Sequence, residues 1–149
     1  MIPGFFDQQT SWPVPRVRAA VYIDDVTSEW RSIDFLLDTG AAMTCIHPLD
    51  AIVRVGISPA TLTGPAAWPR TDSHFGIGGA AQYFVCDATY AFRDTNGEWF
   101  QIKEEIRIAQ LTLGNSRLPS LLGWDVLRHF NVALDHAAGT ITLDPQSPA

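Results

Sequence analysis

Phe35-Leu36-Leu37-Asp38-Thr39-Gly40-Ala41 is the stretch on which the reading of this chain rests. Three apolar residues predict a buried strand that carries an aspartate to its end, and Thr39 and Gly40 then turn the backbone sharply. A carboxylate in that place is costly to ionise unless it is hydrogen-bonded or shares its charge with a partner. Strand ends that feed tight turns are common sites for reactive groups. The segment occurs once in 149 residues, so chemistry that needs two such aspartates needs two chains.

Outward from this segment the pattern is that of strands. Val17, Ala19, Val21 and Ile23 alternate with Arg16, Arg18, Ala20 and Tyr22, which predicts a half-buried strand. Asp24-Asp25 begins a turn, and Trp30 to Leu37 returns as the second strand. Between 47 and 74, Pro48, Gly56, Pro59, Gly64, Pro65 and Pro69 leave room for little more than a short helix near Leu49 to Val55. Ala81 to Phe92 and Trp99 to Ala109 read as a long hairpin, turned at Asn96-Gly97. Trp124 to Phe130 is the predicted late helix, followed by Asn131 to Leu134 paired with Thr140 to Leu143. The expectation is a single all-β domain over 1–149, a closed or strongly curled sheet with one short C-terminal helix. Residues 1–15 are expected as an N-terminal extension and 144–149 as a frayed tail.

Composition bounds the function. Apolar residues make up 46% and charged residues 17%, which describes a globular chain with a sizeable core. Ten basic against sixteen acidic side chains give a net charge of −6, and no basic cluster points to nucleic acid or an anionic membrane as partner. No apolar run approaches the roughly 20 residues of a spanning helix. Met1 to Asp7 has neither the basic start nor the apolar stretch of a signal peptide, so cytoplasmic is the default expectation. Cys45 and Cys86 form no metal or redox motif and read as reduced core thiols, with a disulfide between them as the alternative.

Three segments, in order, resemble the retropepsin-type aspartic proteases, the single-lobed form found in retroviruses and in some cellular proteins. Phe35 to Ala41 matches the family's catalytic motif, two hydrophobic residues before Asp-Thr-Gly-Ala. Leu121-Leu122-Gly123-Trp124-Asp125-Val126-Leu127 matches the downstream hydrophobic-hydrophobic-Gly element and its helix. Phe75-Gly76-Ile77-Gly78-Gly79, between them, resembles the tip of the flap that covers substrate. The resemblance implies a closed β-barrel with one lobe per chain, and a homodimer in which two Asp38 carboxylates activate a water. Thr39, Gly40 and Ala41 would support the catalytic loop, Leu121 and Leu122 would line the cleft floor, and Gly123 would let the chain cross closely beneath. Gly76, Ile77, Gly78 and Gly79 would close over an extended polypeptide bound as an added strand. No metal and no cofactor are implied. Two departures stand out: retroviral relatives often pair an acid after the Asp-Thr-Gly-Ala motif with an arginine after the downstream glycine. Here those places hold Ala42 and Trp124. The stretch 48–70 is also longer than in compact relatives, an insertion expected to build a pocket wall or a partner surface.

Other signals carry less. Gly76-x-Gly78-x-x-Ala81 fits a dinucleotide fingerprint in letters only, since a strand and not a helix follows it. His47, His74, His129 and His136 lack metal-ligand spacing, and Cys86 with His74 makes no credible thiol dyad. Asp125 is expected to serve the start of the late helix. The leading expectation is a homodimeric aspartic endopeptidase. Its rivals are a catalytically silent dimeric peptide-binding module of the same fold, and a monomer whose single Asp38 is inert.

Overall fold

The computed structural model describes residues 1–9, 12–64, 68–76 and 79–146, with backbone alone at 74–76, 79 and 80. It is mostly β, 49% strand and 12% helical. The early strands are β1 (Ile2–Pro3), β2 (Phe5–Asp7), β3 (Val14–Ile23), β4 (Arg31–Leu37) and β5 (Cys45–Ile46). A short helix α1 (Pro48–Asp50) continues as a wider turn over Ala51–Val55, and a tighter helical turn spans Pro59–Leu62. Then come β6 (Thr71–Gly76), β7 (Gly79–Arg93), β8 (Trp99–Ala109), β9 (Leu121–Leu122), α2 (Trp124–Leu127), β10 (Phe130–Asp135) and β11 (Thr140–Pro145).

Eight strands form one sheet in the order β2-β3-β4-β9-β5-β8-β7-β6, and β3 also pairs with β7. That extra pairing, Ala20 to Ile23 against Ala91 to Ala88, bends the sheet into a ring. The alternation in β3 drives it: Val17, Ala19, Val21 and Ile23 all point inward and are fully buried. Phe35, Tyr90, Phe84 and Phe92 fill the interior, each side chain contributing about 2–3 kcal/mol by leaving water. The β7–β8 hairpin turns where its sequence says. Gly97 takes φ 83°, and the Asp94 carboxylate accepts from the amides of Asn96 (2.8 Å) and Glu98 (2.9 Å).

The expected N-terminal extension supplies strands: β1 pairs with β11, β2 pairs with Val14 to Arg16 of β3, and Ile2 lies in the core. β1, β11 and β10 form a second, three-stranded sheet. Of the tail expected to fray from 144, Asp144 and Pro145 instead pair with Asn131 and Phe130, and the Gln146 amide donates to His129 O at 2.9 Å; residues 147–149 lie outside the described part. The late helix is shorter than predicted. It stops at Leu127, and Phe130 opens β10 instead, its ring packed edge-on against Phe92 (5.1 Å) and Phe100 (5.4 Å). That aromatic anchor and the pairing with β11 outcompete another turn of helix. Among the described residues no helix is long and apolar enough to cross a membrane.

Candidate active site

Asp38 follows β4 directly, where strand pairing has fixed the backbone on both sides. Leu36 and Leu37 pair in parallel with Leu121 and Leu122 of β9. The Leu36 amide donates to Ser120 O (2.8 Å) and the Asp38 amide to Leu122 O (3.1 Å). The chain then turns, with the Ala41 amide on Asp38 O (3.2 Å). The Asp38 side chain is half-buried, and its Oδ1 accepts from the Gly40 amide at 2.9 Å. A Cβ on residue 40 would stand 3.2 Å from that oxygen, so glycine keeps this amide close to the carboxylate. Thr39 and Gly40 are exposed. A carboxylate with one fixed donor and a side open to solvent has acceptor capacity left for a bound molecule.

The loop is held from beneath by β9 and α2. Gly123 crosses so near Met43 that a Cβ there would meet the Met43 carbonyl carbon at 2.6 Å and its nitrogen at 2.8 Å. The Trp124 amide donates to Ala41 O (2.9 Å) and the Asp125 amide to Ala42 O (3.1 Å). Trp124 Nε1 reaches Thr39 O at 2.5 Å, with the indole 46% exposed beside the loop. Thus the two positions expected to lack an ion pair are braced by neutral hydrogen bonds. Thr44, fully buried, links the layers: its hydroxyl accepts from the Gly123 amide (3.0 Å) and donates to Asp125 Oδ1 (2.7 Å). Asp125 therefore serves the neighbouring loop as well as its own helix, where it accepts from the Val126 amide (2.9 Å).

The structure brings Asp38, Thr39, Gly40 and Ala41 against Leu121, Leu122 and Gly123. Of the two leucines, Leu121 is half-buried and Leu122 is sealed in the core. Gly76 and Gly79 pair with each other at the end of β6 and β7. Ile77 and Gly78 lie outside the described residues. The stretch 48–70 supplies α1, the turns after it, and one wall of a hollow away from Asp38. Next to the loop, a hollow of about 370 Å3 is bordered by Ala42, Met43 and Trp124 and by the charged pairs Glu104–Arg128 and Glu105–Arg107. Burial raises the Glu104 carboxyl, but bonds from Arg128 (2.7 Å) and His129 (2.8 Å) outweigh it and hold it below the ordinary range.

One buried network escaped the sequence reading. Ser120 Oγ donates to Asp50 (2.6 Å) and accepts from the His47 amide (3.1 Å), while His47 Nδ1 bonds Pro119 O (2.6 Å). The three residue types suggest a catalytic triad, yet the histidine does not touch the serine oxygen with its ring, and Ser120 is fully buried. The network ties α1 to the strand that carries Leu121. Burial lowers the His47 pKa against the opposing pull of Pro119 O and Asp50. Cys45 and Cys86 are free and buried, and burial pushes their thiols up to about 12 and about 11. Neither is a nucleophile at neutral pH. Among the described residues no group of three or more His, Cys, Asp or Glu is placed to hold a metal ion. A signal for Thr44 existed in the sequence, as the polar residue of an apolar run; nothing in spacing named Asp125 as its partner.

A scan of protein-family models and a search of curated proteins return no match to this chain.

Proposed function

We propose that the chain is a retropepsin-like aspartic endopeptidase that works as a homodimer, with Asp38 of each subunit as the catalytic group. The observation that carries this reading is the Asp38 loop. Its half-buried carboxylate is clamped by the Gly40 amide at 2.9 Å, and just past the turn the chain crosses Gly123 at backbone contact distance, at Met43. A strand end braced this firmly suits a group that must hold its geometry through a reaction.

Two Asp38 carboxylates facing across a two-fold axis cannot both ionise readily, so the pair holds one proton in common. The ionised member takes a proton from water as that water attacks the scissile carbonyl. The protonated member donates to the developing gem-diol oxygen, and the roles reverse to protonate the leaving amine. Ala41, in place of a hydroxyl donor to the pair, favours an optimum in mild acid, at about pH 4 to 6. Substrate is an extended polypeptide that adds as a strand beneath the β6–β7 hairpin and rests on Leu121.

The second copy fits the free edge of β10. Among the described residues this strand pairs with β11 alone, and Asn131, Ala133, Leu134 and Asp135 are exposed. An unprotected edge pairs with its own copy in antiparallel register about a two-fold axis, which is the symmetry the two aspartates need.

The test is cleavage of a mixed peptide library from pH 3 to 8, with Asp38→Asn beside the wild type. Acid-shaped cleavage lost in the variant supports the protease, and full cleavage by the variant sinks it. A folded dimer that binds extended peptides and cuts none favours the second reading, a peptide-binding module. The feature behind that alternative is the indole of Trp124, exposed beside Thr39 where the family carries a charge.

A further inference from the structure

A second hollow lies away from Asp38, at the root of the β6–β7 hairpin, and encloses about 530 Å3. The Val85 amide closes this root on Arg70 O at 3.0 Å. The hollow shares no lining residue with the Asp38 loop or with Leu121 to Gly123. Its floor is apolar, formed by the buried Ile57, Val85 and Cys86. One wall is Trp68, and that ring is fixed in two ways. Its Nε1 donates to Thr61 O (2.9 Å), and it stacks on Phe84 at 4.6 Å with the planes 4° apart. A wall held so needs no ordering when something binds against it.

The rim is acidic. Among the described residues, Asp24, Asp25 and Asp87 border the opening with a single cation, Arg70. Arg70 is already engaged, bonding Asp87 at 3.1 Å and also Glu105. The carboxylates of Asp24 and Asp25 have no ion-pair partner among the described residues. The floor holds an unspent group as well: the Cys86 thiol, in a side chain only 8% exposed, has no hydrogen-bond partner among the described residues. Burial is the main cause of its raised pKa. Arg70 opposes the rise, and Asp87, Asp25 and Asp24 each add to it, so all three carboxylates act on the floor of the hollow.

We infer that this hollow binds a small organic cation, an amine or guanidine carried on an apolar body. The apolar part rests on Ile57, Val85 and the edge of Trp68, and the charge sits between Asp24 and Asp25. An anion meets three carboxylates there. A neutral apolar molecule leaves the two unpaired aspartates unused. A cation beside a rigid indole gains from ring and carboxylates together. The site stands whether or not Asp38 cleaves peptides, and its test reads binding alone.

The experiment is a titration of the 15N-labelled full chain with phenethylamine hydrochloride at neutral pH, in parallel with 2-phenylethanol as the uncharged analogue. The expected result is saturable shifts of the amides of Asp25, Ile57 and Cys86 and of the Trp68 indole, with the alcohol about tenfold weaker. The double variant Asp24→Asn/Asp25→Asn should lose about tenfold in amine affinity while keeping its spectrum. If that variant does not fold, salt replaces it: about tenfold higher ionic strength weakens the amine severalfold and leaves the alcohol unchanged. No saturable shift at these positions up to about 20 mM amine overturns the assignment. So does equal affinity for the alcohol, or unaltered amine affinity in the folded variant.

Discussion

Thr44 and Asp125, 81 positions apart in the chain, are joined through both the backbone and the side chain of the threonine. The Thr44 amide lies 3.0 Å from each carboxylate oxygen, and the hydroxyl donates to Oδ1 at 2.7 Å. The same hydroxyl accepts from the Gly123 amide, so one buried threonine binds the loop after Asp38 to the chain that crosses beneath it. A charged acceptor makes these bonds stronger than neutral ones.

Replacing Asp125 by Ala strands the Thr44 amide and hydroxyl without an acceptor. The expected cost is about 2–4 kcal/mol, the penalty for buried donors left unpaired plus the loss of a charge-assisted bond. Asp125→Asn keeps one acceptor oxygen and should lose about half as much. Urea denaturation of the two variants beside the wild type measures this. Equal stability of Asp125→Ala and wild type refutes the role.

Gly123→Ala places a methyl 2.6 Å from the Met43 carbonyl carbon, against backbone that cannot swing aside. We expect a loss of about 1–3 kcal/mol from overpacking, with the Asp38 loop displaced. Thermal melting reads the first effect and amide shifts of residues 38 to 44 the second. A variant as stable as wild type with unmoved shifts contradicts the crossing.

Trp124→Phe retains an aromatic ring beside the loop and removes only the Nε1 donor to Thr39 O. Under the proposed activity, kcat falls about fivefold, the worth of one neutral hydrogen bond, with little change in KM. Steady-state kinetics separate the two constants. A change confined to KM would make Trp124 a substrate contact instead of a brace.

Stability should decline as the medium becomes acidic, and His47 is one cause. Its folded pKa lies below the ordinary 6.5, so below about pH 6.5 the unfolded chain binds protons that the folded chain refuses. The contribution is full at neutral pH and shrinks as pH falls from there toward the lowered folded value. Glu104 adds a loss at lower pH, since its folded pKa is depressed and its bonds to Arg128 and His129 weaken on protonation. Urea midpoints at pH 7.5, 6.5 and 5.5 for wild type and His47→Asn test this. The variant should show the flatter profile between them, and parallel profiles exclude His47 as the cause.

In the proposed dimer, Leu134→Lys puts a charge on the free edge of β10, at a side chain 49% exposed. Sedimentation at micromolar concentration should then give a monomer with an unchanged β spectrum, and cleavage should disappear with the dimer. A dimer that persists in this variant moves the interface away from β10.

What was legible in the sequence is what short-range pattern encodes. Alternation of Val17, Ala19, Val21 and Ile23 specified β3 and its inward face, since side chains of a strand repeat every second residue. Asn96-Gly97 specified the β7–β8 turn because the positive φ there favours glycine. Asp38 at the end of β4 was readable for the same reason, an apolar run followed by turn residues. Tertiary structure decided the rest. The parallel pairing of Leu36–Leu37 with Leu121–Leu122, the clasp of Thr44 by Asp125 and the bond from Trp124 to Thr39 join segments roughly eighty residues apart, and periodicity carries no record of such partners. The early end of α2 belongs with them. Helix propensity favoured continuing to Phe130, but burying that ring against Phe92 and Phe100 while pairing with β11 stabilises more than one further helical turn.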